Sequence, residues 1–367
     1  MILPGSLLFS LILLILSLVC WGSWANTLKM AGPKWRFELY CYDFAVGALL
    51  AALLISFTLG TFGLDGFTTM DDLRLAGKRQ DAFAFLGGCI FTLGNFLTIG
   101  AISLAGMSVA LPVSLGVAMI VGTGVGWVLH RPTGGGMLLI AGAAAVLAAV
   151  VLAGMACKRY LAAKTAAQVA AAAQASQEAA LQAKPGTLLK KKGPRRKPAS
   201  GKALLMAVLA GILLAFFPTL LDAAREGENG LGPYSTALIF TAGLAFSSFV
   251  YNLFFMNLPV QGAPVEFGQY FAGKAGDHLQ GLAGGAIWLV GLVSIMVAAR
   301  AEGVAHPGPA FVYAAAQAPA VIGALWGLVA WNEFSGAEST TRIYVWLMLL
   351  LLAVGVGVAS MAPLYAR

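Results

Sequence analysis

The sequence predicts an all-α membrane protein, with ten transmembrane helices arranged as two inverted five-helix repeats. Three observations carry this expectation. The 367 residues are 59% apolar and only 10% charged, against roughly 25% charged in ordinary soluble domains, and the mean hydropathy is +0.84. A water-soluble fold has too little interior to hide so much hydrocarbon, whereas a bilayer solvates the outer face of every helix. Secondly, ten stretches are mainly apolar over the about 20 residues that cross a hydrocarbon core about 30 Å thick: 5–27, 41–63, 82–104, 107–130, 136–157, 203–223, 233–256, 279–299, 309–332 and 342–364. Thirdly, a single long polar insert, 158–202, divides them five and five.

The first stretch is read as a spanning helix rather than a secretion signal. No Lys or Arg lies in Met1–Ser6, and the apolar run continues to Ala25, too long for a signal core. Between the third and fourth spans only a turn centred on Gly106 is available, so these two helices form a tight hairpin. The fifth span carries the run GAAAVLAAVVLAG from Gly142, small residues of the kind that let helices approach closely within a bilayer. The first part of the insert, KRYLAAKTAAQVAAAAQASQEAALQA, has high helix propensity and extends the fifth helix. Its second part, KPGTLLKKKGPRRKPASGK, is basic and broken by Pro and Gly, a composition that predicts disorder. The expected organisation is a first repeat over 1–157, a basic linker over 158–202 and a second repeat over 203–367.

Sliding the halves by 201 residues aligns IVGTGVGWVLHRPTGG from Ile120 with VIGALWGLVAWNEFSG from Val321. Gly122 then meets Gly323, Gly126 meets Gly327, Val128 meets Val329 and Gly135 meets Gly336. The register places the fourth span on the ninth, as a five-helix repeat requires. An odd number of spans per unit sets the two units in opposite orientation. Eleven Lys and Arg residues lie in the insert, and positive loops stay in the cytoplasm. The insert is therefore expected inside and both termini outside; without it the charges on the two faces nearly balance. The insert also suits anionic lipid headgroups. No aromatic interleaving or folded module points to nucleic acid.

The residues able to carry chemistry are few. Gly22, Asn26 and Lys29 share one face at the end of the first span, flanked by Trp21 and Trp24. Such a stripe is costly against lipid, so it faces either a substrate path or another helix; alternatively the Trp residues anchor at the interface and Lys29 snorkels to headgroups. Asp43 opens the second span, where it either pairs with Lys29 across the first loop or serves as a helix-start carboxylate favoured by the helix dipole. Asp222 and Glu333 are the other carboxylates at membrane depth, each near a span end. Asn95, Asn252 and Gln317 bring amides into spans, either to tie helices together or to read the N–H and C=O edge of a neutral ligand. Pro112 and Pro319 free backbone carbonyls in the fourth and ninth spans.

Enzyme signatures are missing. There is no H-E-x-x-H, no G-x-S-x-G and no metal-ligand spacing among Cys20, Cys41, Cys89 and Cys157, which read as small buried hydrophobes. Gly201-Lys202-Ala203 is the nearest string to a P-loop, without its upstream Gly or its hydroxyl. No cofactor or metal is expected.

Several segments resemble the ureide permease family within the drug/metabolite transporter superfamily. They are W-G-S-W-A-N-T at Trp21–Thr27, D-F-A-V-G-A-L-L-A-A at Asp43–Ala52, I-S-F-T-L-G-T-F-G at Ile55–Gly63, A-A-A-Q-A at Ala314–Ala318, A-L-W-G at Ala324–Gly327 and W-N-E-F at Trp331–Phe334. Gly94–Leu111 followed by I-V-G-T at Ile120–Thr123 is similar to the rhamnose–proton symporter and glucose/ribose porter branch of that superfamily. The resemblance implies the drug/metabolite transporter fold and a secondary transporter of the inner or plasma membrane. Its cargo would be a small neutral polar metabolite, an oxo-heterocycle such as allantoin, uracil or xanthine, imported with protons by alternating access. A monosaccharide importer, a metabolite or drug exporter and a lipid- or protein-recruiting scaffold remain as other readings. The resemblance places helices one, three, four, six, eight and nine around the cavity. Trp24, Asn26, Asn95, Gln317 and Trp326 are the expected substrate contacts, and Lys29 and Asp43 the expected coupling or gating residues.

Overall fold

The computed structural model describes residues 1–32, 34–130, 134–182 and 200–365. Among these, ten helices are long and apolar enough to cross a membrane: α1 (Leu7–Ala31), α2 (Phe37–Phe57), α3 (Lys78–Ala105), α4 (Met107–Leu129), α5 (Gly136–Ala175), α6 (Ser200–Arg225), α7 (Pro233–Asn257), α8 (Ala275–Ala299), α9 (Gly303–Ala330) and α10 (Ser339–Tyr365). No strand occurs among the described residues. The helical part of the insert continues α5 without a break to Gln182. At about 1.5 Å per residue that helix is about 70 Å long, far more than a bilayer needs. The basic stretch 184–199, for which the composition predicts disorder, lies outside the described residues.

Local chemistry sets the boundaries. Ser6 caps α1 by accepting from the Phe9 amide, satisfying one of the orphan N–H groups of a helix start. Pro233 opens α7 at a position where no N–H is needed. Gly106 turns the chain between α3 and α4 at φ +87°, a conformation that glycine alone takes without strain. Three spans are interrupted. α1 bends at Trp24. α6 breaks at Ala215–Phe216, ahead of Pro218. α9 breaks at Ala318, ahead of Pro319, whose ring cannot donate to the helix ladder.

The second helix departs from the sequence expectation. It starts at Phe37 and ends at Phe57 rather than running from 41 to 63, because Thr58–Gly66 turns back instead of continuing. Asp43 is therefore its seventh residue and buried, not a solvated helix start.

α8 is the most buried span and α5 the least, so α8 runs through the middle of the bundle and α5 along its edge. The principal contacts between the first five helices and the last five come in exchanging pairs. α1 packs on α8 as α3 packs on α6; α2 on α8 as α3 on α7; α1 on α9 as α4 on α6. The pairs α2–α7, α4–α9 and α5–α10 map onto themselves.

Consecutive spans run antiparallel, which gives the bundle two distinct ends. One end gathers Met1, Asp65, Gly77, Asn229 and Tyr234 through cross-helix hydrogen bonds. The other gathers Lys29, Arg36, Met107, His278 and Glu333.

Candidate functional site

A cavity of about 990 Å³ opens between α1, α3, α4, α6, α8 and α9, with Leu139 of α5 and Pro363 of α10 also on its wall. Its walls reach the exposed residues Leu129, Glu226 and His306 at the end that holds Met1. That end is its mouth. Towards the other end the lining stops at Trp24 on α1, Thr98 on α3, Leu111 on α4 and Pro319 on α9.

The inner wall is aromatic. Trp288 of α8 lies 4.1 Å from Phe91, centroid to centroid, and stacks on Phe240 at 5.8 Å and on Trp21 at 5.9 Å. Trp21 is fixed because its indole N–H donates to the Trp288 carbonyl at 3.0 Å. Trp24 meets Phe44 edge-on at 5.3 Å. Rings held this way present broad apolar faces with little freedom left to lose on binding.

Polar groups on the wall are sparse. Asn95 is 3% exposed, lines the cavity, and its Nδ2 has no hydrogen-bond partner. A buried amide without a partner costs about 1–3 kcal/mol, which a ligand carbonyl can recover. Gln317 lines the cavity beside the α9 break, and Thr123 and Tyr313 pair their hydroxyls at 3.4 Å. Such a surface sorts ligands by shape and by a few directed hydrogen bonds.

Of the five expected substrate contacts, Trp24, Asn95 and Gln317 stand on the cavity wall. Asn26 and Trp326 do not. The Trp331 indole donates to Asn26 Oδ1 at 2.7 Å, and the Trp326 indole donates to Ser23 Oγ at 2.9 Å. The stripe of Gly22, Asn26 and Lys29 thus faces α9 rather than the cavity; a Cβ added to Gly22 would strike the Ile322 side chain.

Lys29 and Asp43 do not meet. Lys29 pairs with Glu333 at 2.5 Å. Asp43 sits against the loop before α8, where its Oδ1 accepts the Tyr270 hydroxyl at 2.6 Å and lies 2.9 Å from His278 Nδ1. Its Oδ2 is buried without a hydrogen bond, and the Trp35 ring packs edge-on against His278 at 4.8 Å. Burial and the adjacent Asp43 carboxylate hold the Tyr270 phenol above its usual range, so Tyr270 stays protonated and donates.

Trp288, Tyr270, His278 and the role of Glu333 were not legible in the sequence. Trp288 does carry a signal, a lone large aromatic between Gly284-Gly285 and Gly291 in the eighth span. His278 and Tyr270 carry none, since each lies at or before a helix start and gains its meaning from Asp43, more than 220 residues away. Among the described residues no group of three His, Cys, Asp or Glu side chains is placed to hold a metal ion.

Ten spans, three of them broken beside a cavity that reaches one end of the bundle, define a polytopic membrane protein. Residues 40–202 match the family described as ureide permease. The chain is 25% identical to ureide permease 2 of Arabidopsis thaliana over 94% of each chain. It is 31% identical to ureide permease 4 of the same plant over 32% of this chain and 30% of that protein. It is 29% identical to probable ureide permease A3 of Vigna unguiculata over 31% of each. The latter two matches span less than a third of those relatives' length. The chain is similar to the ureide permeases, over 40–202 to the family and over most of its length to one relative.

Proposed function

We propose that the protein is a secondary transporter that imports a small neutral oxo-heterocycle of the allantoin, uracil or xanthine kind across the inner or plasma membrane. In this reading the cavity mouth faces outside and the insert faces the cytoplasm. Two inverted five-helix units then expose the site alternately to each side; the exchanging helix contacts described above support that arrangement.

The observation that carries the reading is the unpartnered amide of Asn95 on a cavity wall that also presents the rings of Trp24, Phe91 and Trp288. A planar, uncharged ring with carbonyl and N–H edges satisfies both features at once. It stacks on an indole, gives the Asn95 amide its missing bond and offers the Gln317 amide a partner. Proton coupling in this reading is assigned to Asp43 and His278, whose 2.9 Å contact sets a carboxylate beside an imidazole. The relatives' names point to ureides, the class to which allantoin belongs.

Asn95→Leu and Gln317→Leu each remove a hydrogen-bonding edge at nearly constant volume. Both are expected to abolish uptake of labelled allantoin or uracil by whole cells while membrane abundance stays normal. Unchanged uptake in both variants would sink the site assignment, and accumulation that falls below that of control cells would reverse the direction of transport.

A further inference from the structure

We infer that Glu333 and Lys29 form the latch that closes the cavity at the end opposite its mouth, and that releasing it opens the site to that side. The inference rests on the alternating-access part of the proposed function and assigns a device to the W-N-E-F segment, which the cavity itself does not use.

The first ground is position. Lys29 lies five residues beyond Trp24, where the lining of α1 stops, and Met107 and Ser108 lie one turn beyond Leu111, where that of α4 stops. Glu333 reaches all of them from the end of α9. Its Oε1 accepts Lys29 Nζ at 2.5 Å and the Met107 amide at 2.9 Å. Its Oε2 accepts the Ser108 amide at 2.8 Å and the Ser108 hydroxyl at 2.5 Å. One carboxylate thus ties α1 and α4 of the first five helices to α9 of the second five. Two indole hydrogen bonds, Trp331 to Asn26 and Trp326 to Ser23, add to the same seam.

The second ground is backbone geometry. The last turn of α9 widens to a π-helical turn over Trp326–Ala330, a departure that often marks functional sites. Asn332 then takes φ +48°, alone among the described non-glycine residues in having a positive φ. Asn is one of the few residues that visits this region without a large penalty. Together these two distortions aim Glu333 back at α4. Gly327 keeps the approach open, since a Cβ there would crowd Glu333 Oε2 and the Ser108 amide at 2.6 Å each.

The third ground is energetic. Glu333 is only 8% exposed in its side chain, yet every oxygen has two donors and one of them is a cation. The cluster also lies at the end of the bundle, not in its middle. Swinging the end of α9 outward therefore exchanges protein donors for water, leaving no buried charge behind. A contact of this type is stable closed and still reversible, which a buried midplane pair is not.

The test is sidedness of labelling in membrane vesicles of defined orientation. Ala118→Cys places a reporter thiol on the α4 wall of the cavity, and reaction with a membrane-impermeant thiol reagent is read at that peptide by mass, so the native cysteines stay in place. With the latch intact, the reporter reacts from the mouth end. Added Glu333→Gln is expected to raise labelling from the opposite end on the order of tenfold and to lower it from the mouth, the size expected when charge-assisted hydrogen bonds are lost from one of two states. Lys29→Met is expected to act in the same direction but less, because Glu333 keeps its Met107 and Ser108 donors. Should Glu333→Gln not reach the membrane, Lys29→Met and Trp331→Phe decide the matter. Unchanged sidedness in the folded variants overturns the latch. The assay contains no substrate, so failed uptake by the parent protein with shifted labelling in the variants counts against the substrate reading alone, and intact uptake by the parent with unshifted labelling in the variants counts against the latch alone.

Discussion

At the scale of single residues, the two titratable pairs stand at the same end of the bundle but in different surroundings. Glu333 has a full set of four donors, whereas Asp43 leaves one oxygen buried and without a hydrogen bond. The satisfied carboxylate suits a mechanical contact. The unsatisfied one, shared with His278 and Tyr270, is the coupling group of the proposed function. Asp43→Asn keeps the size and the Tyr270 hydrogen bond but removes the titrating group. It is expected to abolish accumulation driven by an inward proton gradient while leaving exchange of labelled for unlabelled substrate across preloaded vesicles intact. Loss of both activities together would assign Asp43 to folding or substrate contact instead. This cluster also shows how far a sequence carries a site. Asp43 stands out as a rare carboxylate in an apolar segment, but its partners come from the loop before α8 and the start of that helix. No spacing rule connects them.

At the scale of elements, the breaks in α1, α6 and α9 matter more than the intact helices. Each interruption adjoins the cavity, with Trp24, Ala215 and Pro319 all on its wall. Backbone groups freed by a break are tolerated in a membrane only where protein or a cavity surrounds them. Pro319 announced the break in α9, and Pro218 lies just beyond the one in α6. The bend at Trp24 has no proline or glycine at it and was invisible. The π-helical turn and the left-handed Asn332 were equally hidden, because local sequence there reads as a continuing helix end. Asn332 gives a direct check on this geometry. Asn332→Gly should hold the thermal unfolding midpoint of the detergent-purified protein near that of the parent, whereas Asn332→Val should lower it through a strain of about 1–2 kcal/mol. Equal midpoints for the two variants would mean that the turn relaxes freely and does not aim Glu333.

At the scale of the whole molecule, the cavity depends on contributions from both halves of the chain: Asn95 and Trp24 from the first, Trp288 and Gln317 from the second. The described residues of the insert contribute nothing to its walls. Removing residues 165–196 is therefore expected to leave uptake within about twofold of the parent, since surface segments away from packed features carry little stability. A scaffold that recruits lipid or protein through its basic stretch would instead lose its function with that deletion, and loss of uptake at normal membrane abundance would decide for it.

The sequence by itself determined the number of spans, their places to within a few residues, the continuous helix that carries the insert outward, and the membrane as the solvent. These follow from hydropathy summed over about 20 residues, a quantity that local order hardly alters. It also picked out Trp24, Asn95 and Gln317, since polar and aromatic groups are conspicuous in an apolar background. The tertiary structure alone decided that Asn26 and Trp326 stand off the cavity wall with their side chains bonded between α1 and α9, that Lys29 belongs to Glu333 and Asp43 to His278, and that the described lining of the cavity reaches the end that holds Met1. Those outcomes depend on which faces of distant helices meet. A ten-helix bundle leaves many such pairings open until packing selects one.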